Sequence, residues 1–151
     1  RVVKKEQALS VIKISEIDLN ELISQKIIRE QNAKIQDKVV FFFELTDKGE
    51  AMIKANYPEI KNYFYRGFDY AHDLKLSAYY VECEYKDTWK TRDDLIAEYK
   101  MPGVVDGVFV NDKGEQVAIK VFKRNSTKAD LEKTEQFLMN VGIEKSYYIM
   151  G

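Results

Sequence analysis

The chain has 151 residues, of which 24 are basic and 25 acidic, so that its formal net charge is -1. This balance excludes the global positive field of a strongly basic nucleic-acid-binding protein, and any DNA-binding surface must therefore be local. The single cysteine, Cys83, excludes an internal disulfide. No apolar run approaches the roughly 20 residues of a membrane span, and we expect a cytoplasmic protein with no membrane partner.

Two helical patterns begin the chain. Apolar residues at 2–13 fit a short amphipathic helix imperfectly. Ser15, followed three residues later by Asp18, resembles a capping box, in which the serine oxygen accepts a free backbone N–H. Apolar residues then recur at helical spacing over 17–27, which predicts a clearer second helix.

A hairpin pattern and a third helix follow. Residues 32–38 are polar, and the β-branched and aromatic run at 39–45 indicates a strand, so that two strands around a polar tip are predicted. Thr46 is predicted to cap a helix that ends before Pro58. The predicted order is therefore helix, helix, β-hairpin, helix.

This order is that of a winged helix-turn-helix, in which the hairpin is the wing. Residues 22–29 resemble the end of a recognition helix that enters the wing. Leu45-Thr46-Asp47-Lys48-Gly49 resembles the L-T-x-K-G exit from the wing in many bacterial regulators of this fold. The resemblance covers residues 1–57, and we expect the one further helix of a complete module upstream of Arg1.

The segment 58–71 carries five aromatic residues without clean periodicity. One interpretation is a platform on which nucleic-acid bases stack. The other, which we prefer, is a linker whose rings pack between two modules. We therefore predict a domain boundary in this segment, with a second domain at 72–151.

Six elements are predicted in the second half. In chain order they are a helix at 72–86, a short strand within 87–95, a strand at 104–110, a returning strand at 116–123, a helix that ends at Gly142, and a strand at 146–150. Asn111-Asp112-Lys113-Gly114 is a hairpin signal because glycine tolerates positive φ. Ser126 or Thr127 is expected to cap the last helix. We expect a mixed four-stranded sheet, whose core contains Trp89, Val108, Ile119, Val121, Phe137 and Ile149.

An α-β-β-β-α-β order, with an aspartate on the strand before a tight hairpin, resembles the core of the restriction-endonuclease-like fold. An active member places a second carboxylate and a lysine, as Glu-x-Lys, on the returning strand. The two carboxylates hold Mg²⁺, and the lysine positions or activates the attacking water. Asp106 stands where the first ligand belongs. The predicted fold is therefore α+β, with a winged helix-turn-helix followed by a restriction-endonuclease-like mixed-sheet domain.

Almost the whole chain resembles the replication-relaxation family of plasmids and conjugative elements. The stretches that carry the resemblance are His72-Asp73-Leu74, Trp89-Lys90-Thr91, Asp93 with Leu95, Pro102-Gly103-Val104-Val105-Asp106-Gly107-Val108-Phe109 and Ala118-Ile119-Lys120-Val121. Members of the family join a winged helix to a degraded nuclease-like domain. The resemblance implies a non-catalytic DNA-binding protein of a mobile element, such as a plasmid or phage, that acts in replication, conjugative transfer or its regulation.

The nuclease motif departs from the active pattern at two positions. Lys120 stands where a glutamate is required, and Phe122 stands where a lysine is required. An ammonium in place of a carboxylate removes a metal ligand and repels the cation, by roughly 4 kcal/mol per unit charge at about 4 Å and an effective dielectric of about 20. We expect Asp106 and Lys120 to lie on neighbouring strands and to neutralise each other, with no catalytic residue, metal or cofactor.

Two alternatives remain beside this hypothesis. In a rearranged nuclease site, Glu115 or Glu82 would join Asp106 as ligands of Mg²⁺, and Lys120 would act as the catalytic lysine. In the other alternative, both modules are scaffolds of a protein–protein adaptor, with a partner from a replication or transfer complex.

The residues that we expect to contact duplex DNA lie on three segments. They are Asn20, Ser24, Gln25 and Lys26 on the second helix, Lys34 and Lys38 on the wing, and Lys123, Arg124 and Lys128 on a basic edge of the second domain. Wing lysines contact phosphates, and a helix N-terminus beside the basic edge also attracts phosphate, although a solvated helix face explains that edge equally well. The second helix also carries Glu16, Asp18 and Glu21, which count against DNA binding there because carboxylates repel phosphates.

Overall fold

The computed structural model describes residues 2–59, 69–102 and 104–150. These residues form two compact units, Arg1–Glu82 and Cys83–Gly151, and each unit contains one sheet. The predicted α+β class is confirmed, since the described residues form both helices and two separate sheets. No helix of the described residues has the length and apolar character needed to cross a membrane.

The first unit contains a three-stranded antiparallel sheet and four helices in its described part. Its elements are β1 (Val2–Lys4), α1 (Lys5–Ser10), α2 (Glu16–Ser24), β2 (Ile28–Ile35), β3 (Lys38–Leu45), α3 (Asp47–Asn56) and α4 (Tyr70–Glu82). The strand order is β1-β3-β2, so β3 is central. Gln36 and Asp37 form the tip between β2 and β3 with φ of 51° and 62°, which is the left-handed pair of a two-residue hairpin turn.

Local capping signals were predicted correctly in this unit. The Ser15 hydroxyl accepts the backbone N–H of Asp18 at 3.1 Å, and the Thr46 hydroxyl accepts that of Gly49 at 3.1 Å. The helix predicted at 2–13 was wrong at its start. Val2–Lys4 is a strand paired with β3, and only the following six residues are helical. Two β-branched residues favour an extended backbone once a strand is available to pair with them.

Both faces of β3 are buried at the base of the hairpin. Phe43 packs with Ala8 of α1 and Leu19 of α2 on one face. Phe42 packs with Val2 and with Leu74 of α4 on the other. Successive strand residues point to opposite faces, so this pair of phenylalanines needs helices on both sides of one sheet.

Helix α4 belongs to the first unit, which corrects the predicted boundary. The Ser77 hydroxyl donates to the Val2 carbonyl, and the Gln7 side-chain amide donates to Ala78 O at 3.4 Å and to Glu82 Oε1 at 3.0 Å. The two units therefore divide after Glu82, and not within 58–71. Residues 60–68 of the predicted linker lie outside the described residues. An amphipathic pattern predicts that a helix has an apolar face, but it does not predict which sheet that face packs against.

The second unit contains the predicted mixed four-stranded sheet. After a 3-10 turn at Lys86–Thr88, its elements are β4 (Lys90–Thr91), α5 (Arg92–Tyr99), β5 (Gly107–Val110), β6 (Gln116–Phe122), α6 (Lys128–Val141) and β7 (Lys145–Met150). The strand order is β4-β5-β6-β7, with β6 and β7 parallel and the other pairs antiparallel. Thr127 caps α6, and Gly142 ends it in the left-handed conformation.

The sequence predicted a short strand within 87–95, which corresponds to β4, but helix α5 after it was missed. Only Lys90–Thr91 is extended, because a capping box starts the helix immediately afterwards. Asp94 Oδ2 accepts the Thr91 N–H at 2.7 Å, and the Thr91 hydroxyl accepts the Asp94 N–H at 3.3 Å. This Thr-x-x-Asp spacing was visible in the sequence and indicates a helix start.

The predicted core of the second unit is mostly confirmed. Five of the six residues are buried, and these are Trp89, Val108, Ile119, Val121 and Phe137. The sixth, Ile149, is only partly buried. It lies on β7, which is the end strand of this sheet in the described part of the chain.

Replacement of Gly49 by alanine is expected to destabilise the protein, although this replacement usually stabilises a helix. Alanine normally stabilises a helix by roughly 0.5–1 kcal/mol relative to glycine. A Cβ at Gly49, however, would overlap the backbone carbonyl of Ile27 and a Leu45 methyl group. We expect Gly49→Ala to lower the free energy of unfolding by about 1–3 kcal/mol in urea titration. Ala51→Gly, at an exposed position of the same helix, is the control and should cost about 1 kcal/mol. Stabilisation by Gly49→Ala would contradict the close approach of α3 to Ile27.

Candidate functional site

Asp106 precedes β5 and extends its hydrogen bonding to β6. Its backbone N–H donates to the Ile119 carbonyl at 2.8 Å, and its carboxylate Oδ2 accepts the Val121 N–H at 2.8 Å. The residue is buried. The carboxylate thus satisfies a backbone donor of β6 that would otherwise be buried without an acceptor, which is a structural task.

Lys120 lies beside this carboxylate, as predicted. Its Nζ is 3.8 Å from Asp106 Oδ2 and 6.0 Å from the centroid of the Phe122 ring, and its side chain is 20% exposed. Lys120 also helps to lower the pKa of Asp130 at the start of α6, although hydrogen bonds from Thr127 are the main cause. The ammonium of Lys120 therefore lies near the Asp106 carboxylate, the residue that the sequence resemblance compares with a metal ligand.

Within the second unit, Glu115 of the rearranged nuclease site does not lie beside Asp106. Glu115 accepts hydrogen bonds from Asn111 at 2.8 Å and Lys145 at 2.5 Å, and both interactions lower its pKa. The register of β5 with β6 places it at the other end of the hairpin, five residues from Lys120 and thus roughly 16 Å along the strand. Glu82 lies in the first unit, where it accepts the Gln7 amide.

Two further observations bear on a metal site. Phe122, which replaces the motif lysine, is buried and contacts the Tyr148 ring edge-on at 5.4 Å between centroids. Across the described ranges, no three or more His, Cys, Asp or Glu side chains are grouped so that they could hold a metal ion. The residues around Asp106 therefore offer one carboxylate that is already hydrogen-bonded, and an ammonium.

The four candidate DNA-contacting residues of α2 and its end are exposed, but two of them are engaged locally. Asn20 and Lys26 are exposed. The Gln25 amide donates to Glu21 Oε1 at 2.9 Å, and the Ser24 hydroxyl donates to the Glu21 carbonyl at 2.8 Å. Glu21 therefore organises the end of this helix, and it places a carboxylate among the residues predicted to contact DNA.

The two wing lysines lie at the tip of the β2–β3 hairpin, and both are exposed. Lys34 forms an ion pair with Asp37 at 3.2 Å. Both side chains are largely in solvent, so the pair is worth about 0–1 kcal/mol and opens readily. Lys38 begins β3, opposite Ile35. Because Lys34 lies opposite Val39 and Lys38 directly precedes Val39 in β3, the two lysines point to opposite faces of the hairpin tip.

Sequence reasoning missed two apolar residues beside these lysines. Val39 is 59% exposed and Phe41 is 52% exposed. The register places Val39 opposite Lys34 and Phe41 opposite Asn32 on one face of the hairpin. The run of five apolar residues at 39–43 is typical of a strand buried on both faces, and only the position of the helices shows where that burial stops.

The basic edge of the second unit has its own acidic partners. Lys123, Arg124 and Lys128 are exposed, and Lys128 pairs with Glu132 at 3.3 Å. At the α6 N-terminus, Asp130 Oδ2 accepts the Thr127 N–H at 2.7 Å. The helix end that was a candidate phosphate site thus already carries a carboxylate, and phosphate binding there is disfavoured.

Comparison with protein-family models, with curated protein sequences and with solved structures finds no match.

The structural role of Asp106 generates a stability prediction. Asp106→Ala leaves the buried Val121 N–H without its acceptor, and should lower the free energy of unfolding by about 1–3 kcal/mol. Asp106→Asn keeps an acceptor oxygen and should cost less, because Lys120 is partly exposed and can reach water. Urea titration of both variants measures the difference. Equal losses would show that the charge of Asp106, and not its hydrogen bond to Val121, supports the fold.

Proposed function

We propose that this chain is a non-catalytic DNA-binding protein of a mobile genetic element, acting in replication, conjugative transfer or its regulation. The observation that supports duplex binding best is the exposed hairpin tip with Lys34 and Lys38, which follows two helices in a helix–helix–hairpin–helix order. This is the arrangement that the sequence resemblance to a winged helix-turn-helix implies. The assignment to a mobile element rests on the family resemblance alone.

The charge distribution favours the wing over the helix as the main phosphate contact. In α2 and its N-terminal turn, Glu16, Asp18 and Glu21 oppose a single basic neighbour, Lys26. The tip of the wing, residues 34–38, has two lysines against one aspartate, and the ion pair there opens at little cost. A surface of this size neutralises few phosphates, so we expect modest affinity and a shallow dependence on salt.

The absence of catalysis is proposed from the state of Asp106. Its carboxylate accepts a backbone N–H and lies near Lys120. A metal ion bound there would have to displace that hydrogen bond and approach an ammonium, both of which oppose binding. Against the nuclease alternative, Glu115 is held by Asn111 and Lys145 and not at this position.

Duplex binding is tested by the salt dependence of affinity. Because each phosphate contact contributes about 0.9 to the slope of log K against log salt, Lys34→Ala and Lys38→Ala should each reduce that slope by about 0.9. Fluorescence anisotropy with duplex DNA from the region upstream of the gene measures it. Lys113→Ala removes the same charge from an exposed hairpin of the second unit and should leave the slope unchanged. If the intact chain shows no salt-dependent affinity, the adaptor alternative replaces this proposal.

Catalysis is tested by plasmid nicking with Mg²⁺ and then Mn²⁺. We expect no cleavage by the intact chain, because Asp106 and Lys120 neutralise each other. Asp106→Asn, which keeps the acceptor for Val121, is run beside it as the matched variant. Metal-dependent cleavage by the intact chain that disappears in Asp106→Asn would establish the nuclease alternative. Cleavage that persists in both would come from a contaminant or from a different catalytic site of the chain.

A further inference from the structure

One face of the β2–β3 hairpin presents four side chains near the tip, and we call these residues, Asn32, Lys34, Val39 and Phe41, the hairpin face. Phe41 lies opposite Asn32, and Val39 lies opposite Lys34. Directly opposite residues of an antiparallel pair have Cβ atoms about 4.5–5.5 Å apart, and diagonal neighbours are within reach of long side chains. The four side chains therefore form one continuous surface.

Helices cover this face at its base and not near its tip. Phe43 continues the same side of β3 and is buried with Ala8 and Leu19. Phe41, which is two residues closer to the hairpin tip, is 52% exposed. Its ring has no aromatic neighbour among the described residues, whereas Phe42 on the opposite face contacts the Tyr70 ring at 4.9 Å between centroids. An apolar surface rimmed by an amide and an ammonium is typical of an interaction site.

The size and charge of the hairpin face favour one class of ligand. A stable protein partner buries about 800 Å² on each side, which two apolar side chains cannot supply as a core. A nucleobase needs only one exposed ring, and stacking on an aromatic side chain is worth about 1–3 kcal/mol per base. Lys34, which lies opposite Val39 on the same face, supplies a charge that complements a phosphate next to such a base.

We propose that the hairpin face binds single-stranded DNA, with an unpaired base stacked on Phe41 and a neighbouring phosphate held by Lys34. Val39 packs against the sugar or the base edge, and the Asn32 amide can donate to or accept from a base. Bases within a duplex stack on one another and offer no face to Phe41, so the site requires unpaired nucleotides. The choice of DNA over RNA rests on the proposed function.

The test is binding of the full chain to a labelled oligothymidylate of about 12 nucleotides, within the site sizes typical of single-strand binding surfaces. By fluorescence anisotropy at low salt, Phe41→Ala should weaken binding by about 5- to 150-fold. Phe41→Leu should weaken it similarly, because leucine keeps the apolar volume without a π-face, whereas Phe41→Tyr should bind like the parent. Ile17→Ala is the matched control, since Ile17 is 78% exposed on α2 outside the hairpin face.

A direct readout comes from Phe41→Trp. The chain has one native tryptophan, Trp89, which is buried in the second unit and provides a constant background. Oligothymidylate should quench the new emission if a base stacks on the introduced ring. The comparison of tyrosine with leucine at the same exposed position keeps the test decisive if Phe41→Ala unfolds, which circular dichroism would detect.

Three outcomes would overturn the proposal. They are full affinity in Phe41→Leu, an equal loss in Ile17→Ala, and tighter binding of the corresponding oligouridylate. Absence of oligothymidylate binding with duplex binding intact would remove this inference and leave the proposed function standing. Oligothymidylate binding that depends on Phe41, without duplex binding, would support the inference and remove the proposed duplex function.

Discussion

In each sheet, one interior strand buries side chains on both of its faces. In the first unit this strand is β3, where the adjacent Phe42 and Phe43 are both almost fully buried. In the second unit β6 has the same character, with Ala118 and Ile119 inaccessible to solvent. Neighbouring strand residues point in opposite directions, so each sheet needs cover on both sides. In the first unit α1 and α2 meet the Phe43 face, and α4 meets the Phe42 face.

The same constraint accounts for an ion pair between β2 and β3 in which the carboxylate is buried and the guanidinium is half exposed. Glu44 is opposite Arg29 in the register and only 1% exposed, and its Oε2 accepts hydrogen bonds from Arg29 Nε at 2.9 Å and Nη2 at 2.7 Å. Glu44 raises the pKa of Arg29 further, so the guanidinium stays charged. A buried carboxylate is costly without such a partner. The pair therefore ties β2 to β3 in one register, and this register sets which residues meet on the hairpin face.

Asp106 has a structural role that its position in the nuclease-like sequence pattern does not predict. The sequence placed an aspartate where a metal ligand belongs in the nuclease-like pattern. In the structure its carboxylate is an acceptor for the Val121 N–H beyond the end of the regular ladder. The buried Asp106 oxygen that accepts the Val121 N–H stabilises the fold whether or not a metal binds, and this structural role accounts for an aspartate beside Lys120.

The sequence by itself determined the features that depend on a few neighbouring residues. The caps at Ser15, Thr46 and Thr127 and the left-handed Gly142 were predictable, because each depends on hydrogen bonds or backbone preferences within three or four positions. The missed α5 belongs to this group, since Thr91 and Asp94 carried the signal. Only the tertiary structure decided which sheet α4 covers, which carbonyl crowds Gly49, and where helical cover of β3 stops and leaves Val39 and Phe41 exposed. Those outcomes depend on contacts between segments far apart in the chain, and an apolar residue looks the same in the sequence whether a helix covers it or not.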